Sequence, residues 1–375
     1  MSTKVVILGA GFGGLELSAM LSESGADFEV TLIDRNDAFV FGFSKLDLLF
    51  GRTTADTVRH SYADFSMPGV TFRQESVTAI DPENRVVTTS DSSYEADALV
   101  IALGADYDLD ATPGLAEFGN EFYSVPGAER LSRMIPEFTE GHAVIGICGA
   151  PFKCPPAPSE CSLMLHDNLV ERGVRDGCQI TLINPLPSPV PPSPEMSAAL
   201  CQEFEKRGIE LISGGRIQAL DGDRGVLLED GSEIPFDIFF GVPRHRAPDV
   251  VIDSGLTEDG FIPVDSHTLE ARLPGVYAVG DVVTAGVPKA GVFSEGAARI
   301  VAGNLIAGQG QGEAPGPYLG RGNCYIEFGE GKVSRVDIDF LSGPQRTGVF
   351  NEPSLALAEE KVEFGRSRQA RWFGT

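Results

Sequence analysis

Basic residues are scarce in this chain. Of its 375 residues, 29 are Lys or Arg against 54 Asp or Glu, a formal net charge of −25. Nucleic acid and anionic lipid surfaces repel such a protein, so nucleic acid is not expected as a partner and membrane contact is expected to be at most peripheral. The charge serves solubility, including that of a salt-adapted protein, or pairing with a basic partner protein. Cysteine is sparse too, at 6 residues, with no CxxC pair and no His/Cys group at zinc spacing. A disulfide framework and a metal centre are therefore not expected, and redox chemistry is the better reason for any cysteine that matters. No apolar run approaches the roughly 20 residues that cross a bilayer. The N-terminus, MSTKVVILGAG, enters a strand at once and lacks the pattern of a signal or transit peptide. The expected location is the cytoplasm, extending at most to the inner face of the membrane.

Glycine is present where a nucleotide fold needs it. The apolar run KVVIL leads into GAGFGG, which sets Gly9, Gly11 and Gly14 in a GxGxxG pattern. The helical segment LELSAMLSESG follows, then the strand FEVTLID, ending at Asp34 about 20 residues after Gly14. Gly9 makes the tight turn, Gly11 lets backbone approach a pyrophosphate, and Gly14 allows close helix–strand packing. The helix N-terminus receives the negative charge and Asp34 accepts from a ribose hydroxyl. Two later segments resemble the further fingerprints of FAD-binding reductases with two nucleotide folds. YEADALVIALGA (94–105) is a strand ending in a small-residue turn around Ala102 and Gly104. LPGVYAVGD (273–281) is a strand ending in Gly280 and Asp281, and the resemblance implies that this carboxylate reaches the ribityl chain. Together they make FAD the expected resident cofactor.

The fold class expected is α/β, with two Rossmann-like βαβ folds in a glutathione-reductase-like arrangement and a small C-terminal region. The FAD-binding domain is read as discontinuous, 1–110 and 240–310. Residues 111–239 form a second Rossmann-like domain, and 311–375 the terminal region. In the second fold, the strand HAVIGI leads not to GxGxxG but to Gly146-Ile147-Cys148-Gly149-Ala150-Pro151. The acidic position after its next strand is Asn184-Pro185. Phosphate cradle and ribose acceptor are both weakened, so the nicotinamide site reads as degenerate.

The same loop continues KCPPAPSE. With GVPRHRAPDVVIDSGL, GFIPVDSHTLEA, GVPKAGVFSEGAARIVAGNL and GNCYIEFGEGK, it resembles the sulfide:quinone oxidoreductase and flavocytochrome c sulfide dehydrogenase family over nearly the whole chain. The resemblance implies a redox pair of cysteines, Cys154 and Cys324, on the far side of the flavin from the dinucleotide chain. It also implies a cation, Lys289, near the flavin, where it would favour the anionic reduced form. Glu160, closing CPPAPSE, is a candidate base or proton relay, and equally a helix N-terminal acid. The chemistry stands without the family: sulfide can attack a disulfide, leaving a persulfide and a thiolate, and a flavin can accept two electrons from a thiolate. Cys161, Cys178 and Cys201 read as unreactive, and Cys148 as the main rival for pairing. His142, His166, His245 and His267 read as structural. Residues 35–50 and 106–147 contain no cysteine, so FAD is expected to be non-covalent and a third functional cysteine is not expected.

The function expected is an FAD-dependent, sulfide:quinone-oxidoreductase-like enzyme. It would take electrons from sulfide or a small persulfide and pass them to a quinone or a soluble electron acceptor. A homodimer is compatible with this reading. An NAD(P)H-dependent reductase of the same fold and a non-catalytic flavin-binding redox sensor are the alternatives. The tail EEKVEFGRSRQARWFGT is read either as a minimal interfacial anchor or as a segment docked on the protein's own surface.

Overall fold

The computed structural model describes residues 2–374. Runs of branched apolar residues, buried on both faces, form two parallel sheets. The first has the strand order Val276–Ala278, Ala98–Ile101, Thr3–Leu8, Phe28–Asp34, Val70–Gln74. Val5, Ile7, Leu8, Leu99, Val100 and Ile101 in it are wholly inaccessible. The helices Phe12–Glu23 and Gly291–Gly308 pack together on this sheet. Small side chains on the second, Ala297, Ala298 and Ala302, allow a close approach.

The second sheet orders Ile209–Ser213, Cys178–Asn184, Gly141–Ile147 and Ile238–Val242, again all parallel. Its helix Ala157–Glu171 is buried along most of its length, through Cys161, Leu163, Met164, Leu165 and Leu169. Burying each leucine stabilises the fold by about 1.5–3 kcal/mol. The expected α/β class with two Rossmann-like folds is what the chain adopts.

The terminal region is a three-stranded antiparallel sheet, Arg321–Gly329, Lys332–Asp339 and Thr347–Ser354. It packs through Ile326, Phe328 and Val336 into the same core as the helix Ala157–Glu171. The last helix, Leu355–Phe373, then returns across the molecule to the first nucleotide fold. Its Trp372 is 1% exposed, packs edge-on against Phe12 and Phe39, and donates from Nε1 to Glu16 at 3.0 Å. Arg371 reaches Glu16 and Glu23, and Arg368 reaches Glu295. The tail is thus docked on the protein's own surface. Among the described residues no helix is long and apolar enough to cross a membrane.

Candidate active site

The first glycine loop is shaped around an open space. Gly9 has φ +100°, and a Cβ there would lie 2.3 Å from the Ala102 carbonyl oxygen. A Cβ on Gly14 would lie 1.9 Å from the Gly9 carbonyl oxygen. At Gly11, by contrast, a Cβ would meet nothing within 4 Å. Two of the glycines serve protein packing, and the third opens the loop to a ligand at the start of the helix Phe12–Glu23. Asp34 accepts from the Ala10 amide at 2.8 Å through Oδ2 and from Asn36 through Oδ1, so it also braces the loop. Sequence reasoning missed Tyr62, whose buried hydroxyl donates to the Ala10 carbonyl at 2.5 Å.

The other two fingerprints converge on this loop. Ala102 follows the strand Ala98–Ile101 and donates to Leu8, and Gly104 has φ +72°. Gly280, at φ +84°, precedes Asp281. Asp281 Oδ1 is buried without a hydrogen-bond partner. A buried carboxylate oxygen left bare costs about 1–3 kcal/mol or more unless a ligand supplies a donor. That orphaned oxygen and the open cradle at Gly11 fit the ribityl hydroxyls and pyrophosphate of FAD.

Three cations face the same region. The Lys289 ammonium donates to the Asp281 and Val283 carbonyls at 2.6 and 3.2 Å and lies 3.5 Å from the Phe261 ring centroid. Burial pulls its pKa down to about 8, against the attraction of Asp281. Lys153 was quoted in the sequence but given no role there. It donates to the Ala105 carbonyl at 3.1 Å and lies 4.6 Å from the Tyr107 ring centroid. Burial works against its charge, but Tyr107 and Asp281 outweigh it, so its pKa is raised. Lys45, from the helix Ser44–Leu49 in the first fold, also acts on Asp281.

His245 was read as structural, and one side of it is. Its Nδ1 donates to the Pro243 carbonyl at 2.8 Å, and its ring stands edge-on to Tyr107 and Tyr123. Its other nitrogen is buried without a partner. Burial, then Lys153, drives its pKa to about 3, so the imidazole is neutral. No sequence pattern around His245 signals that environment.

In the second fold a loop links the strand Gly141–Ile147 to the helix that follows it. The helix Ala157–Glu171 begins directly after Cys154-Pro155-Pro156 and carries Glu160 in its first turn. Cys154 has φ +46°, strained for a non-glycine residue. Its amide donates to the Lys289 carbonyl at 2.8 Å, and its own carbonyl accepts from Ala157 and from the Tyr123 hydroxyl. The cysteine is thereby tied both to the FAD side and to its own helix. Asn184 is spent locally: Oδ1 accepts from the Leu186 amide at 2.9 Å and Nδ2 reaches the Ser188 carbonyl.

Cys324 arrives from the strand Arg321–Gly329 and packs, like Cys154, against the core of the second fold. Both are free thiols. Burial raises the Cys324 pKa to about 12 and that of Cys154 well above its ordinary value, and the Glu160 carboxylate pushes both further up. Cys324 adds to the rise at Cys154. Cys148, the rival for pairing, lies elsewhere, packed with Leu115, Val144 and Ile183 in a separate cluster. Its Sγ reaches only its own loop, at the Gly146 carbonyl.

Glu160 is 2% exposed and accepts from the Glu327 amide at 3.1 Å. Burial raises its pKa to about 7, against the pull of Lys361. Neither Glu327 nor Lys361 was singled out in the sequence. The structure therefore packs Cys154 and Cys324 against one core, with the Glu160 carboxylate acting on both and the Cys154 amide hydrogen-bonded to the Lys289 carbonyl, and gathers the glycines, Asp34, Ala102 and Asp281 around the neighbouring cradle.

A family model described as pyridine nucleotide-disulphide oxidoreductase matches residues 3–298. The sulfide-quinone reductase of Aquifex aeolicus is 27% identical to this chain, over 88% of it and 82% of the relative. An NADH dehydrogenase-like protein of Mycobacterium tuberculosis is 29% identical, over 76% of this chain and 73% of the relative. The crystal structure of the Aquifex aeolicus sulfide:quinone oxidoreductase superimposes with a TM-score of 0.87 at 22% identity. It covers 99% of this chain and 92% of that one, a likeness of fold.

Proposed function

This chain belongs to the pyridine nucleotide-disulphide oxidoreductase family, and we propose that it oxidises sulfide or a small persulfide through Cys154 and Cys324, passing electrons by way of non-covalent FAD to a quinone or a soluble acceptor. FAD is the resident cofactor, and when bound it supplies an acceptor for an electron pair. The observation that carries the proposal is the loop before the helix Ala157–Glu171. Where a nicotinamide pyrophosphate would meet a helix N-terminus, the helix is preceded by Cys154 and opened by Glu160, with Cys324 on the terminal sheet packed against the same core as Cys154.

The chain's own chemistry is thiol–disulfide exchange. In the oxidised pair, HS⁻ forms a bond to one cysteine sulfur as the S–S bond breaks, leaving a persulfide and a thiolate. Re-forming the disulfide releases one zero-valent sulfur, one proton and two electrons per HS⁻. Pro155 and Pro156 restrict the backbone beside Cys154, so its sulfur is oriented at little entropic cost. Glu160 is the group assigned here to take a thiol proton. Lys153 and Lys289 place positive charge beside Asp281, where it would favour an anionic reduced cofactor.

The relative named as NADH dehydrogenase-like supports a second reading, that of a reductase fed by NAD(P)H. The spent Asn184 side chain counts against it. Anaerobic mixing of the purified yellow protein with sulfide, and separately with NADH, separates the two. Rapid bleaching by sulfide alone is expected. Reduction within milliseconds by micromolar NADH, with none by sulfide, would overturn the proposal. Bleaching by either donor without turnover with any acceptor would instead identify a redox sensor.

A further inference from the structure

Behind the two cysteines lies a buried ionic cluster assembled from four separate segments. Glu160, Glu327 and Lys361 are 2%, 7% and 6% exposed. Lys361, on the C-terminal helix, donates from Nζ to Glu327 Oε1 at 2.6 Å. The Glu327 amide donates to Glu160 Oε1 at 3.1 Å, so one residue connects ammonium and carboxylate. Arg52 stands at the outer edge, 3.4 Å from Glu327 Oε2 and 3.6 Å from Asp47 Oδ1. Phe43 lines the cluster, its ring centroid 5.5 Å from the Lys361 ammonium.

Charge counting shows what this arrangement does. Lys361 and Arg52 offset Glu327 and Asp47. Glu160 holds the cluster's one remaining negative charge, while burial keeps the thiols of Cys154 and Cys324 neutral. The further titratable groups that sense Glu160, Tyr123 and Cys161, have pKa values raised by burial and stay neutral. A buried ion pair contributes little net stability, because desolvation offsets its attraction. Retaining one behind a reactive pair points to a role in the chemistry.

We propose that Lys361 is a positioning residue: through Glu327 it holds Glu160 as the group that takes up and returns the protons of the cysteine pair. The proposal rests on the reading of Cys154 and Cys324 as the reacting residues. When a thiol ionises, its proton moves from Sγ to a Glu160 carboxyl oxygen. The negative charge moves from carboxylate to sulfur, and the cluster's total charge does not change. Removing the ammonium makes both sites harder to ionise. Removing the Glu327 carboxylate while Lys361 remains makes both easier.

The test follows the protonation of Glu160 in the reduced, FAD-loaded protein as a function of pH, by the infrared carboxyl band that Glu160→Gln removes. Lys361→Met should move the midpoint up by about one pH unit, in line with loss of an opposite charge nearby. Glu327→Gln should move it down by a similar amount. Lys361→Arg should stay near the wild-type value. The double variant Lys361→Met/Glu327→Gln leaves no unpaired buried charge and should also stay near it. An unmoved midpoint in Glu327→Gln or Lys361→Met overturns the proposal. So does a double variant as displaced as Lys361→Met, because packing damage persists there and an electrostatic effect cancels. Should Lys361→Met fail to fold, Glu327→Gln and the double variant still decide. The readout needs no sulfide turnover, so a protein inert to sulfide that shows these shifts loses the proposed function and keeps this role for Lys361.

Discussion

Replacing Gly11 with alanine should have opposite effects on the empty and the loaded protein. Gly11 has φ −82° and ψ −164°, an extended conformation open to any residue. A Cβ there meets no protein atom within 4 Å. In the apoprotein the substitution is free of clash and restricts the unfolded chain, so it should stabilise by about 0.4–1 kcal/mol. In the holoprotein the same methyl group stands where the pyrophosphate approaches. Crowding of that kind costs about 1–3 kcal/mol, or about 5- to 150-fold in affinity. At a FAD concentration about 100 times the wild-type Kd, the ligand stabilises the wild type by about 2.7 kcal/mol. A 100-fold weaker variant would retain about 0.4 kcal/mol of that. FAD titration of apoprotein by fluorescence quenching, with melting curves in the presence and absence of FAD, measures both arms. Gly14→Ala is the contrasting control. Its Cβ would lie 1.9 Å from the Gly9 carbonyl oxygen, so it should fail in the apoprotein as well. Wild-type FAD affinity in Gly11→Ala would refute the placement of the pyrophosphate over this loop.

Cys154→Ser and Cys324→Ser should each bind FAD but lose sulfide-dependent bleaching. The double variant should lose no more than either single one, because the pair acts as a unit. Cys148→Ser should retain bleaching, since Cys148 packs in a separate cluster; stopped-flow spectra of the four variants check the set. Replacing Asn184 with aspartate should leave NADH reduction slow, because the side chain would still be engaged by the Leu186 amide. A fast phase with NADH would contradict this. Trp372→Ala should cost about 3–5 kcal/mol in urea denaturation, as truncation of a buried aromatic does. Burial alone would raise the pKa of Glu16, but hydrogen bonds from Arg371, Trp372 and Arg299 outweigh it and hold the pKa below 4.5. The unfolded chain then takes up the proton first as pH falls. The stability Glu16 contributes is therefore present above pH 4.5 and lost as pH drops through its folded value, and Glu16→Gln should flatten that acid limb.

Much of this protein is written in local pattern. KVVIL, HAVIGI and QITLIN are apolar runs that only a sheet covered on both faces can bury, and each forms a parallel strand. Gly9 and Gly14 are dictated by backbone approaches within a few residues or to an adjacent strand, so their spacing alone announces the turn. The departure of Gly146–Pro151 from GxGxxG, with Asn184 after the next strand, is legible for the same reason. Cys154 and Cys324 were reached only through the family resemblance, in which proline and asparagine neighbours mark the two cysteines.

Tertiary structure decided what depends on distance through space. Asp47 and Arg52 come from one helix and the turn after it, and Glu160, Glu327 and Lys361 from two other helices and a strand; no spacing links these segments. Glu160 could be read equally as a base or as a helix-terminal acid. Its burial raises its pKa to about 7, against the pull of the Lys361 ammonium. The tail was equally ambiguous: its aromatics and arginines suit a lipid interface or a protein groove. Trp372 beneath Phe12 and Phe39, and the arginines on Glu16, Glu23 and Glu295, resolve it. Sequence determines which groups exist and the local backbone that carries them. Burial and the neighbours met after folding determine charge state and reactivity, because both depend on dielectric and on separations that only the packed chain has.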